Sequence, residues 1–193
     1  HGLMRKNEGD EVEAAFAGRA LHFIRVNAEE RFLNALRGLT DPEQKRKIIG
    51  TEFYKVFWDE VRRQGGQDAF FAQGTIYPDC IESGKGNADK IKTHHNKVKM
   101  PEDVKFLDII EPLASLFKDE VRRVGEQLGI PKELVWRQPF PGPGLAIRVI
   151  GDITKEKLDT LRDADFIFRD EVAKAGFDRQ MNQYFAVLTS MRS

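Results

Sequence analysis

The sequence predicts an α/β protein built on a doubly wound parallel sheet, and three observations lead there. Candidate strands and helices alternate along the chain, the pattern of a parallel sheet with helices on both faces. The loop after a candidate strand at Ala69–Gln73 leaves through a glycine and carries a hydroxyl and two carboxylates, at the strand end where such sheets bind ligands. Finally, Pro139 to Gly144 holds three prolines and two glycines in six residues. No helix interior or central strand takes that composition, and a flexible linker carries Ser, Lys and Glu instead. It is a stiff, shaped turn, suited equally to joining domains and to shaping a substrate site.

The elements follow in order. Glu8 to Ala17 has helical composition, and Gly18 suits its end. Ala20 to Val26 alternates, with aromatic and β-branched residues, and is expected as a strand. Asn27 then caps a short helix, Ala28 to Arg37, closed by Gly38. Asp41-Pro42-Glu43-Gln44 is a strong helix start, with Asp41 as N-cap, Pro42 at the first position and Gln44 reaching back. Ile49, Phe53, Val56, Phe57 and Glu60 keep helical spacing until Gly65-Gly66. Strands are expected at Ala69–Gln73 and near Leu107–Ile110. The polar stretch between them, about thirty residues, is too long for an ordinary connection.

Leu116 to Leu128 reads as a helix ended by Gly129, and Pro131 opens another that ends near Trp136. The proline turn feeds Leu145–Ile150, which has strand composition. Thr154 caps a long helix through Lys174, with Leu158, Leu161, Ala164, Phe168 and Val172 on one face. Tyr184 to Leu188 is expected as a strand with nothing to pair against it.

Composition narrows the function. At 193 residues, 40% hydrophobic and 32% charged, the chain suits one sizeable core, or one domain plus part of another. Lysine plus arginine equal aspartate plus glutamate at 31 each, so no global field draws it to nucleic acid or an anionic membrane. No apolar run approaches a membrane span, and the first residues lack a signal-peptide core. The single cysteine, Cys80, excludes an intrachain disulfide and offers no metal cluster. A reducing cytoplasm fits best.

Several groups suit chemistry. Gly74 and Thr75 leave the strand, and Asp79 and Glu82 follow, three apart. One helical turn brings both acids to one face, where they suit hydrated magnesium or a positioned substrate. Acids at a helix start also serve simply as caps. From Lys85 to Lys99 run five lysines, one aspartate and the pair His94-His95. A basic lid over a nucleotide and a solvated loop both fit that run. Adjacent histidines in an extended segment point apart, so zinc is not expected. Lys118, near the start of a helix, and Lys45-Arg46-Lys47, at the start of another, put cations where bound anions gather.

Taken together, six segments resemble the glutamine-hydrolysing GMP synthases over nearly the whole chain. They are Leu3–Glu8, Asp41–Gly50, Ala72–Ser83, Ile91–Asn96, Phe117–Arg122 and Pro139–Arg148. The resemblance implies an adenine-nucleotide α-hydrolase-like sheet over 1–148, the ATP pyrophosphatase domain. A smaller α+β dimerisation domain over 149–193 follows, so a homodimer is expected. It implies that magnesium ATP adenylates xanthosine monophosphate and that ammonia from a separate glutaminase domain then gives GMP. Arg46 would contact the xanthosine monophosphate phosphate, and Gly74 and Thr75 the nucleotide. Lys92, His94 and His95 would belong to a catalytic lid, with Asp79 and Glu82 at its hinge and in the catalytic region. Lys118 and Asp119 would organise ATP, magnesium or pyrophosphate, while Pro141 and Gly142 shape the edge of the site.

The sequence departs from the family in three places. The phosphate loop Ser-Gly-Gly-Val-Asp-Ser is expected upstream of His1, the glutaminase domain is expected outside these residues, and the family's last segment is expected beyond Ser193. The Asn96–Met100 stretch also lacks the family's usual glycine, which leaves lid motion open. A parallel sheet short of a strand exposes an edge, so 193 residues standing alone are expected to be poorly soluble or unstable. Competing readings are another ATP pyrophosphatase, such as an NAD synthetase or argininosuccinate synthetase, and a non-catalytic dimerising or nucleotide-binding module.

Overall fold

A computed structural model describes residues 1–18, 22–66, 68–82, 101–178 and 180–191. Its helices are α1 (Glu8–Phe16), α2 (Glu29–Ala35), α3 (Pro42–Arg63), α4 (Tyr77–Glu82), α5 (Lys118–Gln127), α6 (Lys132–Val135) and α7 (Lys155–Lys174). Two short strands, β1 (Phe71–Ala72) and β2 (Ile109–Ile110), and a 3-10 helix over Gly144–Arg148 complete the set. The chain divides into two compact units, residues 1–49 with 138–193, and residues 50–137.

The first unit is built around buried Leu3, Phe32, Leu36, Ile49, Leu145, Leu158 and Leu161. Its helix starts follow local chemistry. Asp41 Oδ2 accepts from the Gln44 amide at 2.7 Å, and Thr154 Oγ1 accepts from the Lys157 amide at 3.2 Å; each satisfies a donor the helix leaves free. Asn27 Oδ1 accepts from the Glu29 amide at 3.3 Å ahead of α2. The inner face of α7 carries Leu158, Leu161 and Val172, as its spacing predicts, but also Asp165. Phe168 on that helix is exposed.

Three expected strands are corrected here. His22–Val26, the described part of the first, is not a strand. Side chains hold it instead: Phe23 stacks on Phe16 at 5.8 Å, and Arg25 reaches Asp10 at 2.6 Å and Glu13 at 2.8 Å. Leu145–Ile150 is not a strand either, because Gly144 turns at φ +66° and its amide bonds Pro141 O at 2.8 Å. That turn winds the next residues into the 3-10 helix. Tyr184–Leu188 reduces to one parallel bridge, Leu188 to Val149. That bridge also gives the segment the partner it was not expected to have. Upstream of it, the Ala186 amide is taken by Asp165 Oδ1 at 3.1 Å, away from any ladder.

In the second unit β1 and β2 pair in parallel, Phe71 with Ile109 and Ala72 with Ile110. The Phe71 amide bonds Asp108 O and the Gln73 amide bonds Ile110 O, both at 2.9 Å. Aromatic rings hold α3 to this pair: Tyr54 and Phe57 meet Phe71 at 5.5 and 5.3 Å, and Trp58 meets Phe106 edge-on at 5.3 Å. Trp136, just after α6, donates Nε1 to Glu126 on α5 at 2.8 Å and lies under Arg122 at 4.8 Å. The fold is mixed α/β, and among the described residues its sheet has two parallel strands.

Candidate functional site

The carboxyl ends of β1 and β2 come together with the starts of α4 and α5. Beyond β1, Gly74 and Thr75 lead into α4; beyond β2, Glu111 opens the path to α5. Thr75 is buried, and its Oγ1 donates to Glu111 Oε1 at 2.6 Å, clamping the two strand ends. Glu111 was not singled out by sequence reading. The available signal was its place just past a parallel strand, the position Gly74 and Thr75 hold on the neighbour. Replacing Thr75 by Val keeps the shape and removes the donor, so stability is expected to fall by about 1 kcal/mol. A urea midpoint that does not move at constant slope would show that the clamp contributes nothing.

Asp79 turns back on its own helix start, its Oδ2 accepting from the Ile76 amide at 3.0 Å. It therefore acts as a cap. Glu82 is the last residue of α4. The two helix starts are tied directly, because the Tyr77 amide donates to Leu116 O at 2.9 Å and the Tyr77 and Phe117 rings meet edge-on at 5.0 Å. Glu120 caps α5 by accepting from the Phe117 amide at 2.8 Å. Asp119 pairs with Arg122 at 3.4 Å on the exposed side. Lys118 is exposed and, among the described residues, makes no ion pair. A Cβ built on Gly74 meets no atom within 4 Å, which leaves its backbone open to close approach by a ligand.

The structure thus brings Gly74, Thr75, Asp79, Lys118 and Asp119 to one end of one unit. Lys92, His94 and His95 lie outside the described residues. Arg46, Pro141 and Gly142 belong to the other unit. There Arg46 is half-exposed and pairs with Glu43 at 3.3 Å. Its neighbour Lys45, grouped with it by sequence as a ligand-facing cation, is instead 1% exposed and bonded to backbone carbonyls. Burial holds its pKa below the ordinary lysine value, with Asp152 opposing.

Close by is an ionic cluster that sequence reasoning missed. Asp165 faces Arg148 at 3.4 Å, Arg169 at 3.7 Å and Arg5 at 3.9 Å. Burial, then Arg169, lowers the Arg5 pKa to about 10. No local signal marks such a cluster, since its members come from both ends of the chain. The described residues contain no group of three His, Cys, Asp or Glu able to hold a metal, and no helix long and apolar enough to cross a membrane.

No protein-family model matches the chain. Curated relatives do. Over 193 residues it is 67% identical to the GMP synthase [glutamine-hydrolyzing] of Finegoldia magna. It is 66% identical to the protein of that name from Ruminiclostridium cellulolyticum and 63% identical to that from Acetivibrio thermocellus. Each match takes in all of this chain and 38% of the relative. The chain therefore spans well under half the length of the proteins it resembles.

Proposed function

We propose, for a chain that belongs over its full length to the sequence family of the glutamine-hydrolysing GMP synthases, that it carries much of the synthetase half of such an enzyme. The reaction assigned is adenylation of the 2-oxygen of xanthosine monophosphate by ATP with release of pyrophosphate. Ammonia from a glutaminase domain then displaces AMP to give GMP. The observation that carries this reading is the convergence at the β1 and β2 ends. Adenylation needs backbone open to phosphates, cations to offset developing charge, and a dry enclosure. Gly74 offers the first and Lys118 the second; the third is assigned to Lys92, His94 and His95, which lie outside the described residues, by the family resemblance alone.

The individual roles follow from the family resemblance rather than from any placement of one unit against the other. Arg46 binds the substrate phosphate, in exchange for its exposed pair with Glu43, because a guanidinium fork can take a phosphate bidentately. Pro141 and Gly142 shape the purine edge. Lys118 neutralises phosphate oxygens, and Asp119, three residues from Arg122 on the same helix, keeps the pair aligned at the helix start. Magnesium, when bound, would offset the charge on the phosphate oxygens. Asp79 accepts from the Ile76 amide and Glu111 from Thr75 Oγ1, so the described carboxylates would give such an ion at most a supporting part. By the resemblance, residues 1–148 belong to the ATP pyrophosphatase domain and 149–193 to a dimerisation domain, a division different from that of the compact units, where 138–193 go with 1–49. The exposed Phe166, Ile167 and Phe168 of α7 support a homodimer. The cytoplasm is the expected site of action.

The test is pyrophosphate release by the full-length protein with ATP, magnesium, xanthosine monophosphate and ammonium, each omitted in turn. Release that needs both nucleotides is expected, and release indifferent to xanthosine monophosphate overturns the reading. Arg46→Glu is expected to lower kcat/KM for xanthosine monophosphate by roughly a hundredfold, since a repulsive charge replaces a bidentate donor. Unchanged kinetics in that variant removes the Arg46 assignment and leaves the reaction standing.

A further inference from the structure

The segment that bears Pro141 and Gly142 is gripped at both ends by buried cations. At its entry the Arg5 guanidinium donates to Gln138 O at 3.2 Å and Pro139 O at 2.8 Å, and lies over the Phe140 ring at 4.5 Å. At its exit Lys45 Nζ donates to Val149 O at 2.9 Å, Gly151 O at 2.5 Å and Ala146 O at 3.4 Å. These three bonds use every donor an ammonium has. Among the described residues Lys45 makes no ion pair: its donors all go to carbonyls, and Asp152 and Asp41 act on its charge without a contact.

That arrangement is a poor device for stability. Taking an ammonium out of water is costly, and an apolar side chain of similar volume fills such a position at no such cost. What the ammonium supplies is geometry: it draws three carbonyls to one point on the first turn of α3. The next residue along α3 is Arg46. We propose that Lys45 is a positioning residue, which fixes Arg46 and the Pro141–Gly142 turn in one register so that both engage the same nucleoside monophosphate. The substrate half of this inference rests on the synthetase reading above; the grip on the turn does not.

The full-length protein tests it as wild type, Lys45→Met and Lys45→Arg. Methionine keeps the length and removes every donor. Amide exchange at Gly144, Leu145 and Ile150 is expected to accelerate about tenfold or more in Lys45→Met, with exchange in α5 unchanged. KM for xanthosine monophosphate is expected to rise about tenfold or more, with kcat and KM for ATP held within about threefold. Arginine keeps the charge, but its planar fork cannot aim at three converging carbonyls, so Lys45→Arg should fall between the two. If the methionine variant does not fold, the arginine variant decides by the same readouts.

A lowered melting temperature with both KM values unchanged would mean that Lys45 serves only stability, and overturns the proposal. Unchanged exchange at the three amides overturns it as well. A wild type that releases no pyrophosphate in response to xanthosine monophosphate sinks the synthetase reading instead. In that case the exchange measurement still decides whether Lys45 grips the turn.

Discussion

Asp165→Ala is expected to destabilise the protein by about 3–5 kcal/mol, the cost of leaving buried charge without its partner. Asp165 is 1% exposed and is the shared counter-charge of Arg5, Arg148 and Arg169. Removing it leaves three guanidiniums with buried Glu8 as the remaining carboxylate acting on Arg5 and Arg148, in a site where Arg5 already has its pKa lowered to about 10 by burial and by Arg169. Rings soften the loss but do not cancel it. Arg148 lies over Phe185 at 4.1 Å and Arg5 over Phe140 at 4.5 Å, contacts of about 0.5–2 kcal/mol each that are present in wild type and variant alike. The Ala186 amide also loses its acceptor, which adds an unsatisfied donor.

Thermal unfolding should therefore begin roughly 10 °C lower in Asp165→Ala, given the few degrees that each kcal/mol moves a domain of this size. Asp165→Asn separates the two contributions, because it keeps an oxygen for Ala186 and loses the charge. An intermediate midpoint is expected. A shift under about 3 °C in Asp165→Ala would mean that the arginines relax into solvent and that the cluster is not a stabilising hub.

Why this cluster was invisible in the sequence, while other features were plain, comes down to range. Asp41 and Thr154 announce their helices because a cap acts over three residues, and both caps form as expected. The β1–β2 pair was legible because its apolar residues sit in short runs bounded by polar ones. Gly74, Thr75 and Asp79 were legible as a group for the same reason, since a strand end and the next helix start are neighbours in the chain. The role of Asp79 was not, because a cap and a metal ligand share one residue type and spacing. Lys45 and Arg46 look alike in sequence. Only the carbonyls of Ala146, Val149 and Gly151, a hundred or so residues away in the chain, turn one inward and leave the other at the surface. Leu145–Ile150 has strand composition, and composition says nothing about a turn that another segment has already captured.

That capture gives the second large effect, in Gly144→Ala. Gly144 sits at φ +66°, a backbone conformation that costs an alanine about 1–2 kcal/mol. Space is the greater obstacle. A Cβ there would collide with Leu3 O and come within 2.9 Å of Leu3 Cβ, and Leu3 is fully buried, with no room to retreat. Overpacking of this kind costs about 1–3 kcal/mol, so the expected total is about 2–5 kcal/mol once the two are combined. The backbone cannot shift freely to relieve it, because the Leu145 amide donates to Leu3 O at 2.7 Å and the Gly144 amide to Pro141 O at 2.8 Å. Relief has to come from opening the turn, which carries Pro141 and Gly142 with it. Gly144→Ala should therefore lower the melting midpoint by several degrees and, on the function proposed above, also weaken binding of xanthosine monophosphate. Gly151→Ala is the control: its φ is +88°, yet its Cβ meets no atom within 4 Å, so it pays the backbone cost alone. If the two alanine variants melt together, the contact with Leu3 is not what holds the turn, and the close approach of these two segments is incidental to its shape.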